Sequence, residues 1–362
     1  MKKHLIAAAV AAAVVAPAAM AQNVTISGRL DVGYSMLDAT TAAGVGTKTN
    51  VISFSPWTTS RLIIAGTEDL GGGLKAAFNI ETAMGSSTVS AVSAADTTKA
   101  TSTGGTTIGD RQLNLTLSGG FGSLLAGRTD SMVKTVYDAY DAGYSNNIVG
   151  SVDSLDAATD TTTRRDVTIR YTTPSFSGLT ASIGVMKNTV DKDATAKVED
   201  QTGEEYGLRY VSGPLSASLA YRNVDVKSAA VVAPAVPTGA AKDLTNKDLG
   251  LGISYNFGPV VAFGQYFDTE SKPNGGTKTD EKFYAVGVRV PLGASTIYAS
   301  YVDGESKTGA TKLDREGFQL GVKYDFSKRT YAYVAYGDEE SNATATTKAK
   351  KDQLAIGIAH HF

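Results

Sequence analysis

Apolar and polar residues alternate with period two in short stretches along nearly the whole chain, and this restricts the fold more than any other feature. In NVTISGRLDVGY, Val24, Ile26, Leu30, Val32 and Tyr34 fall on one face and Thr25, Ser27, Arg29 and Asp31 on the other. KDLGLGISYNF sets Leu249, Leu251, Ile253, Tyr255 and Phe257 against Asp248, Gly250, Gly252, Ser254 and Asn256. EGFQLGVKYDF repeats the pattern with Phe318, Leu320, Val322, Tyr324 and Phe326. Weaker copies lie at Leu74–Glu81, Asp166–Thr172, Leu179–Val185, Tyr206–Tyr210, Leu215–Arg222, Tyr284–Val290 and Leu354–Phe362. Successive strand side chains point to opposite faces, so each stretch reads as a strand with one apolar and one polar side. Sustained apolar spacings of three and four, which helices need, are not found.

The connectors alternate too. Short turn sequences (EDLGGG, SGGFGS, TPSFSG, VSGP, NFGP, VPLGA, DFSKR) are separated by long polar stretches near 38–50, 87–109, 130–163, 188–203, 227–246, 270–280, 304–314 and 338–350. Seven turns and eight long loops join sixteen strands. Such strands, closed into a 16-stranded antiparallel transmembrane β-barrel, fit an apolar band of ~25 Å. Closure also leaves no unpaired edge in lipid. A soluble sandwich would hide its apolar faces against a second sheet. Here Tyr171, Phe176, Tyr210, Tyr255, Phe257, Tyr324 and Phe326 gather at strand ends, as an interfacial girdle does. The polar faces carry Arg29, Asp31, Arg170, Arg209, Arg289 and Lys323, which suits a wet lumen better than a dry core.

An export signal precedes the strands. Lys2 and Lys3 form a basic start, Leu5 to Val15 an apolar run, and Ala19-Met20-Ala21 a small-x-small cleavage site. The expected division is a cleaved signal peptide, 1–21, and a barrel domain, 22–362. Beyond Gln22 no apolar run reaches the ~20 residues of a membrane helix. Zero Cys excludes disulfides and thiolate chemistry, and the three His (His4, His360, His361) lie at the chain ends, leaving no internal triad or metal cluster. A net charge of −2 argues against a nucleic-acid partner. No enzyme activity, cofactor or metal site is expected.

RLIIAGTEDLGGGLKAAFNIE (Arg61 to Glu81), GSLLAGRTD (Gly122 to Asp130), IRYTTPSFSGLTAS (Ile169 to Ser182) and the closing AIGIAHHF resemble the general, trimeric outer-membrane porins of Gram-negative bacteria, beta-proteobacterial ones above all. The resemblance implies a homotrimer in the outer membrane, with lipid bilayer and lipopolysaccharide around it. It implies short periplasmic turns, long extracellular loops, and a closing strand whose Phe362 is read by the outer-membrane assembly machinery. It also implies that the third long loop folds into the barrel. That loop, about 130–163, holds the acids Asp138, Asp141, Asp153 and Asp156 beside Tyr137, Tyr140 and Tyr144. Facing it, by alignment, would stand a basic wall of Arg61, Arg111 and Arg164. Alternation independently puts Arg164 in the lumen with Thr168 and Arg170. It puts Arg111 with Leu113, Leu115 and Leu117 on the lipid face, a conflict that a bulge near Gln112 or a position above the apolar band would resolve.

The expected function is a water-filled channel for ions and small hydrophilic solutes, weakly anion-preferring. The alternatives are a substrate-specific pore, a cation-preferring or unselective pore, and a barrel whose loops bind partners.

Overall fold

The computed structural model describes residues 23–84, 108–155, 164–190, 199–228, 244–273, 275–344 and 347–362. Strands run β1 (Asn23–Thr40), β2 (Gly46–Phe54), β3 (Arg61–Gly71), β4 (Leu74–Ala83), β5 (Gln112–Gly119) and β6 (Gly122–Asp130). After helix α1 (Met132–Tyr140) come β7 (Arg164–Thr172), β8 (Leu179–Val190), β9 (Glu199–Ser212), β10 (Leu215–Ser228) and β11 (Leu244–Asn256). The remainder are β12 (Val261–Pro273), β13 (Thr279–Leu292), β14 (Ser295–Thr308), β15 (Thr311–Asp325), β16 (Thr330–Thr344) and β17 (Thr347–His361).

Neighbouring strands pair antiparallel throughout, β2 and β3 both on β1, and β17 closes the sheet on β1 from Arg29↔His361 to Thr40↔Lys350. Phe362 completes the seam: it and Gly28 exchange backbone hydrogen bonds of 3.1 Å in both directions. Among the described residues seventeen strand segments make up sixteen staves, because the second stave is broken. β2 pairs with Val32–Thr40 of β1 and β3 with Asn23–Arg29. Between them, residues 55–60 leave the wall and fold inward.

The two faces differ as the alternation requires. On β5, Leu113, Leu115 and Leu117 are exposed to the outside while the intervening positions point to the lumen. On β15 the outward row is Phe318, Leu320, Val322 and Tyr324, then Glu316. Six residues from Phe318 to Tyr324 span about 20 Å at the rise of a strand, close to the apolar band of such barrels. Aromatic pairs mark both edges: Tyr255 with Phe257 and Tyr324 with Phe326 at the short-turn end, and Tyr266 with Tyr284 and Phe318 with Tyr336 towards the long-loop end.

Among the described residues, dry packing occurs where inward segments meet the wall. The sequence reading found no helix, yet MVKTVYDAY places apolar residues at Met132, Val133, Val136, Tyr137 and Tyr140, one helical face. All five are buried, packed with Ala220, Phe267, Phe283 and Val302 of the wall. Burial at roughly 1.5–3 kcal/mol per side chain gives on the order of 10 kcal/mol before ordering entropy is subtracted. Ser131 caps the helix, accepting from Lys134 N at 3.1 Å. The motif was missed because nine residues give too few repeats of a 3.6 period.

The second packed cluster surrounds Trp57 of the inward 55–60 segment. Its indole lies 4.8 Å from the Tyr333 ring, 5.5 Å from Tyr331, 5.7 Å from Tyr144 and 6.3 Å from Tyr298. Asp31 anchors this segment. Its Oδ2 accepts from the backbone N of Trp57 (3.0 Å) and Thr58 (2.6 Å), and its Oδ1 from the Tyr333 hydroxyl (2.7 Å). Asp31 is thus on the lumenal face but buried beneath the segment and away from solvent, a correction to the open, lumen-facing role expected of it. A turn that leaves the sheet exposes backbone N–H groups, and the carboxylate takes two of them.

Candidate functional site: a charged gap inside the barrel

Behind α1 the chain turns back across the lumen and is stitched to the far wall. Asn147 N donates to Trp57 O at 2.7 Å, and its Nδ2 to Ser55 O at 2.9 Å. Gln319 Nε2 lies 2.7 Å from Ile148 O and 3.1 Å from Val149 O, while Asn146 Nδ2 donates to Gln319 Oε1 at 2.9 Å. Val149 N donates to Gln353 Oε1 and Gly150 N to Glu339 Oε2. Close approach depends on glycine. A Cβ on Gly337 would stand 2.0 Å from Val149 O, and one on Gly317 would meet the Gly150 Cα at 2.7 Å. Gly150 itself has φ +83°, a left-handed conformation that glycine adopts without strain.

Thus the third loop spans the lumen and leaves a gap of about 460 Å³. Wall residues Arg29, Arg61, Arg111 and Arg164 line one part of the gap, with Asp130 at the end of β6. Lys134, Asp138 and Asp153 contribute from the loop. Five cations therefore line the gap against three carboxylates. Glu81 of β4, buried behind the arginines, binds Arg61 Nη1 at 3.0 Å and also pairs with Arg111 Nε. Arg164 Nε lies 3.0 Å from Asp130 Oδ1. The Thr59 carbonyl, on the inward segment, accepts from Arg29 Nη2 (3.2 Å) and Arg61 Nε (3.3 Å). Like charges so close repel, and Glu81 together with the Thr59 carbonyl offsets part of that cost.

Arg111 faces the gap, not lipid. Regular pairing of β4 with β5 begins at Glu81↔Gln112, so Arg111 precedes the ladder and its pleat does not bind it. The turn before it contains Gly109 at φ +78°, and Arg111 N donates to Glu81 O at 3.1 Å. The position above the regular strand resolves the conflict.

The loop acids divide. Asp138 and Asp153 line the gap, and Asp138 also pairs with Lys134 at 2.8 Å, one helical turn away. Asp141, expected to face the arginine wall, is buried, and its Oδ2 accepts from Ser145 N at 2.6 Å. Burial raises its carboxyl above the usual range, although the Ser145 and Gly143 N–H groups and Arg289 pull the other way. It shapes the loop and does not line the gap. Asp156 lies outside the described residues. Arg170 is lumenal and bound to Asp130 O (2.7 Å) and Glu205 Oε2 (3.2 Å); Arg209 is exposed nearer the short-turn end. The sequence reading did not single out Glu81, Asp130, Lys134 or Thr59. One signal was available: Pro56 inside an apolar run argues against an unbroken strand there.

The geometry of a closed barrel with an inward third loop and a charged gap agrees with comparison to known proteins. The profile of the Gram-negative porin family matches residues 7–344. This chain belongs to that family. An outer membrane porin of Bordetella pertussis is 31% identical over 410 aligned residues, and outer membrane porin protein 32 of Delftia acidovorans 33% over 402, each match covering both chains completely. Among solved structures, an anion-selective porin from Comamonas acidovorans superposes with a TM-score of 0.69 at 25% identity, over 94% of this chain and all of that one. The trimer form of OmpT of Vibrio cholerae gives 0.69 at 17% identity over 95% of this chain, a likeness of fold. The chain is therefore an outer-membrane porin, and its 16-stranded antiparallel barrel is that of solved porins.

Proposed function

We propose that this porin is a general diffusion channel with a weak preference for anions, in which the gap between third loop and wall is the narrowest part of the path. The observation that carries this reading is the lining itself, five cations against three carboxylates at one level of a closed barrel. Low-dielectric walls concentrate the field of these charges, and salt screens it. Ions and small polar solutes orient in the transverse field, while apolar solutes must displace ordered water. The related Comamonas acidovorans porin, described as anion-selective, favours the same sign. A cation-preferring pore is the second reading, favoured by Asp138 and Asp153 on the loop side.

On this reading residues 1–21 are the cleaved export signal, and the short turns face the periplasm. Three chains assemble side by side, as in the trimer form of OmpT of Vibrio cholerae. Phe362, sutured to Gly28 at the seam, presents the closing strand to the assembly machinery, and lipopolysaccharide contacts the outer wall. The role of Arg61, Arg111 and Arg164 is tested by conductance of purified protein in planar bilayers. Stepwise currents whose anion preference falls in Arg164→Ala support it. Steps with unchanged preference in Arg164→Ala contradict the arginine wall, and a folded barrel without steps contradicts the channel.

A further inference from the structure

A second recess lies below α1, on the lumenal side of β7 to β10 and separate from the gap. Its volume is about 200 Å³. Two guanidinium groups reach it, from Arg170 and Arg209, together with the hydroxyl-bearing Thr180 and the apolar Met132 and Val136 of the helix. Arg170 follows Arg164 by six residues on β7, towards the short-turn end, and no residue lines both spaces, although the Arg170 guanidinium reaches back to Asp130 O at 2.7 Å.

Its chemistry selects a ligand class. Arg170 gives one terminal nitrogen to Asp130 O and Glu205 Oε2, but its Nε is buried without a hydrogen-bond partner. Arg209 has no ion pair among the described residues and is exposed to the lumen. Among the described residues Glu205 alone stands against the two arginines, since Arg222 and Asp248 beside it neutralise each other at 2.6 Å, both fully buried. The backbone N–H of Met132, at the start of the helix, is already taken by Glu205 Oε2 at 2.7 Å. Gly207 lets the helix seat against the wall beside the recess, since a Cβ there would stand 2.9 Å from Met132 Sδ. A formal charge of +1 beside an apolar wall matches a monoanion with a short apolar arm. A phosphate dianion would leave negative charge against Glu205 and gain nothing from Met132 or Val136.

We propose that this recess is a second anion subsite, taking small aliphatic carboxylates on their way through the pore. The proposal rests on the diffusion-channel reading above. Arg209 supplies the free guanidinium, Arg170 a fixed one, and the helix face covers the aliphatic arm.

Single-channel recording in KCl, with sodium butanoate added to the short-turn side, tests it. Butanoate reduces the chloride current of the wild-type pore at millimolar concentration, and formate, which lacks the arm, does so at least several-fold less effectively. Arg209→Gln raises the half-blocking concentration of butanoate about tenfold, and Arg209→Lys restores part of it. Equal block of wild type and Arg209→Gln overturns the subsite, as does wild-type current insensitive to butanoate. Equal potency of formate and butanoate overturns the ligand class. Absence of conductance steps in KCl alone would instead remove the diffusion-channel reading, so the two failures are distinguishable.

Discussion

Replacing Gln319 by alanine should loosen the third loop without opening the barrel. Gln319 is almost fully buried, and its amide faces Asn146 Oδ1, Ile148 O and Val149 O while accepting from Asn146 Nδ2. An amide NH2 has two donors, so two of these three acceptors are served at once. Truncation therefore strands two acceptors, Ile148 O and Val149 O, while Asn146 Nδ2 keeps Gly143 O and the Tyr298 hydroxyl. At about 1–3 kcal/mol per unsatisfied buried group, and with lumenal water relieving part of the loss, the cost is about 3 kcal/mol. The bonds to Gln353, Glu339, Trp57 and Ser55 remain, so the loop arm stays seated most of the time. Three kcal/mol is roughly a hundred-fold in the ratio of detached to seated loop. Single-channel recording reads this as more frequent brief closures and a lower voltage threshold for closing, with heat-modifiable gel mobility showing that the barrel is intact. Closure frequency and threshold equal to wild type, in an intact barrel, would refute the claim that Gln319 holds the loop.

Gly337→Ala should act on the same arm by collision, because its Cβ would sit 2.0 Å from Val149 O; a change in conductance with the barrel still folded is expected, and an unchanged trace would show that the arm yields freely. Asp31→Asn removes charge from four hydrogen bonds, three of them holding the 55–60 segment, each worth about 1.5–3 kcal/mol when charged and well aligned. Trp57 is the single tryptophan of the chain, so its fluorescence reports directly. Emission should shift to the red and iodide quenching should rise, whereas an unchanged spectrum would mean that aromatic packing alone fixes the segment. Glu81→Gln leaves Arg61 and Arg111 without their shared carboxylate and should raise anion preference about twofold in a KCl gradient; a shift towards cations would contradict the proposed field.

The staves were legible because a strand exposed to lipid on one side and water on the other must alternate, and β11 and β15 state this residue by residue. The same rule placed Arg164 and Arg170 in the lumen. It misled at Arg111, where the pleat ends one residue too soon, and it was silent about the break between β2 and β3, since both faces of Leu62 to Ile64 are apolar. Glycines on the polar face looked like spacing elements. Gly252, where a Cβ would strike the Tyr140 ring at 2.1 Å, and Gly337 are instead the places where the loop lies on the wall. Such contacts join residues more than a hundred positions apart and leave no local pattern. Glu81 and Asp130 were hidden for the same reason: a carboxylate near a strand end gains meaning only from the arginine that folding brings beside it.

The central claim is that the arginines outweigh the loop acids in deciding which ions pass. The direct test is the zero-current potential of the purified porin in a planar bilayer separating concentrated from dilute KCl. The account predicts a potential on the chloride side of zero, moving closer to zero in Arg164→Ala. A potential on the potassium side would keep the channel but contradict the dominance of Arg29, Arg61, Arg111 and Arg164 over Asp138 and Asp153.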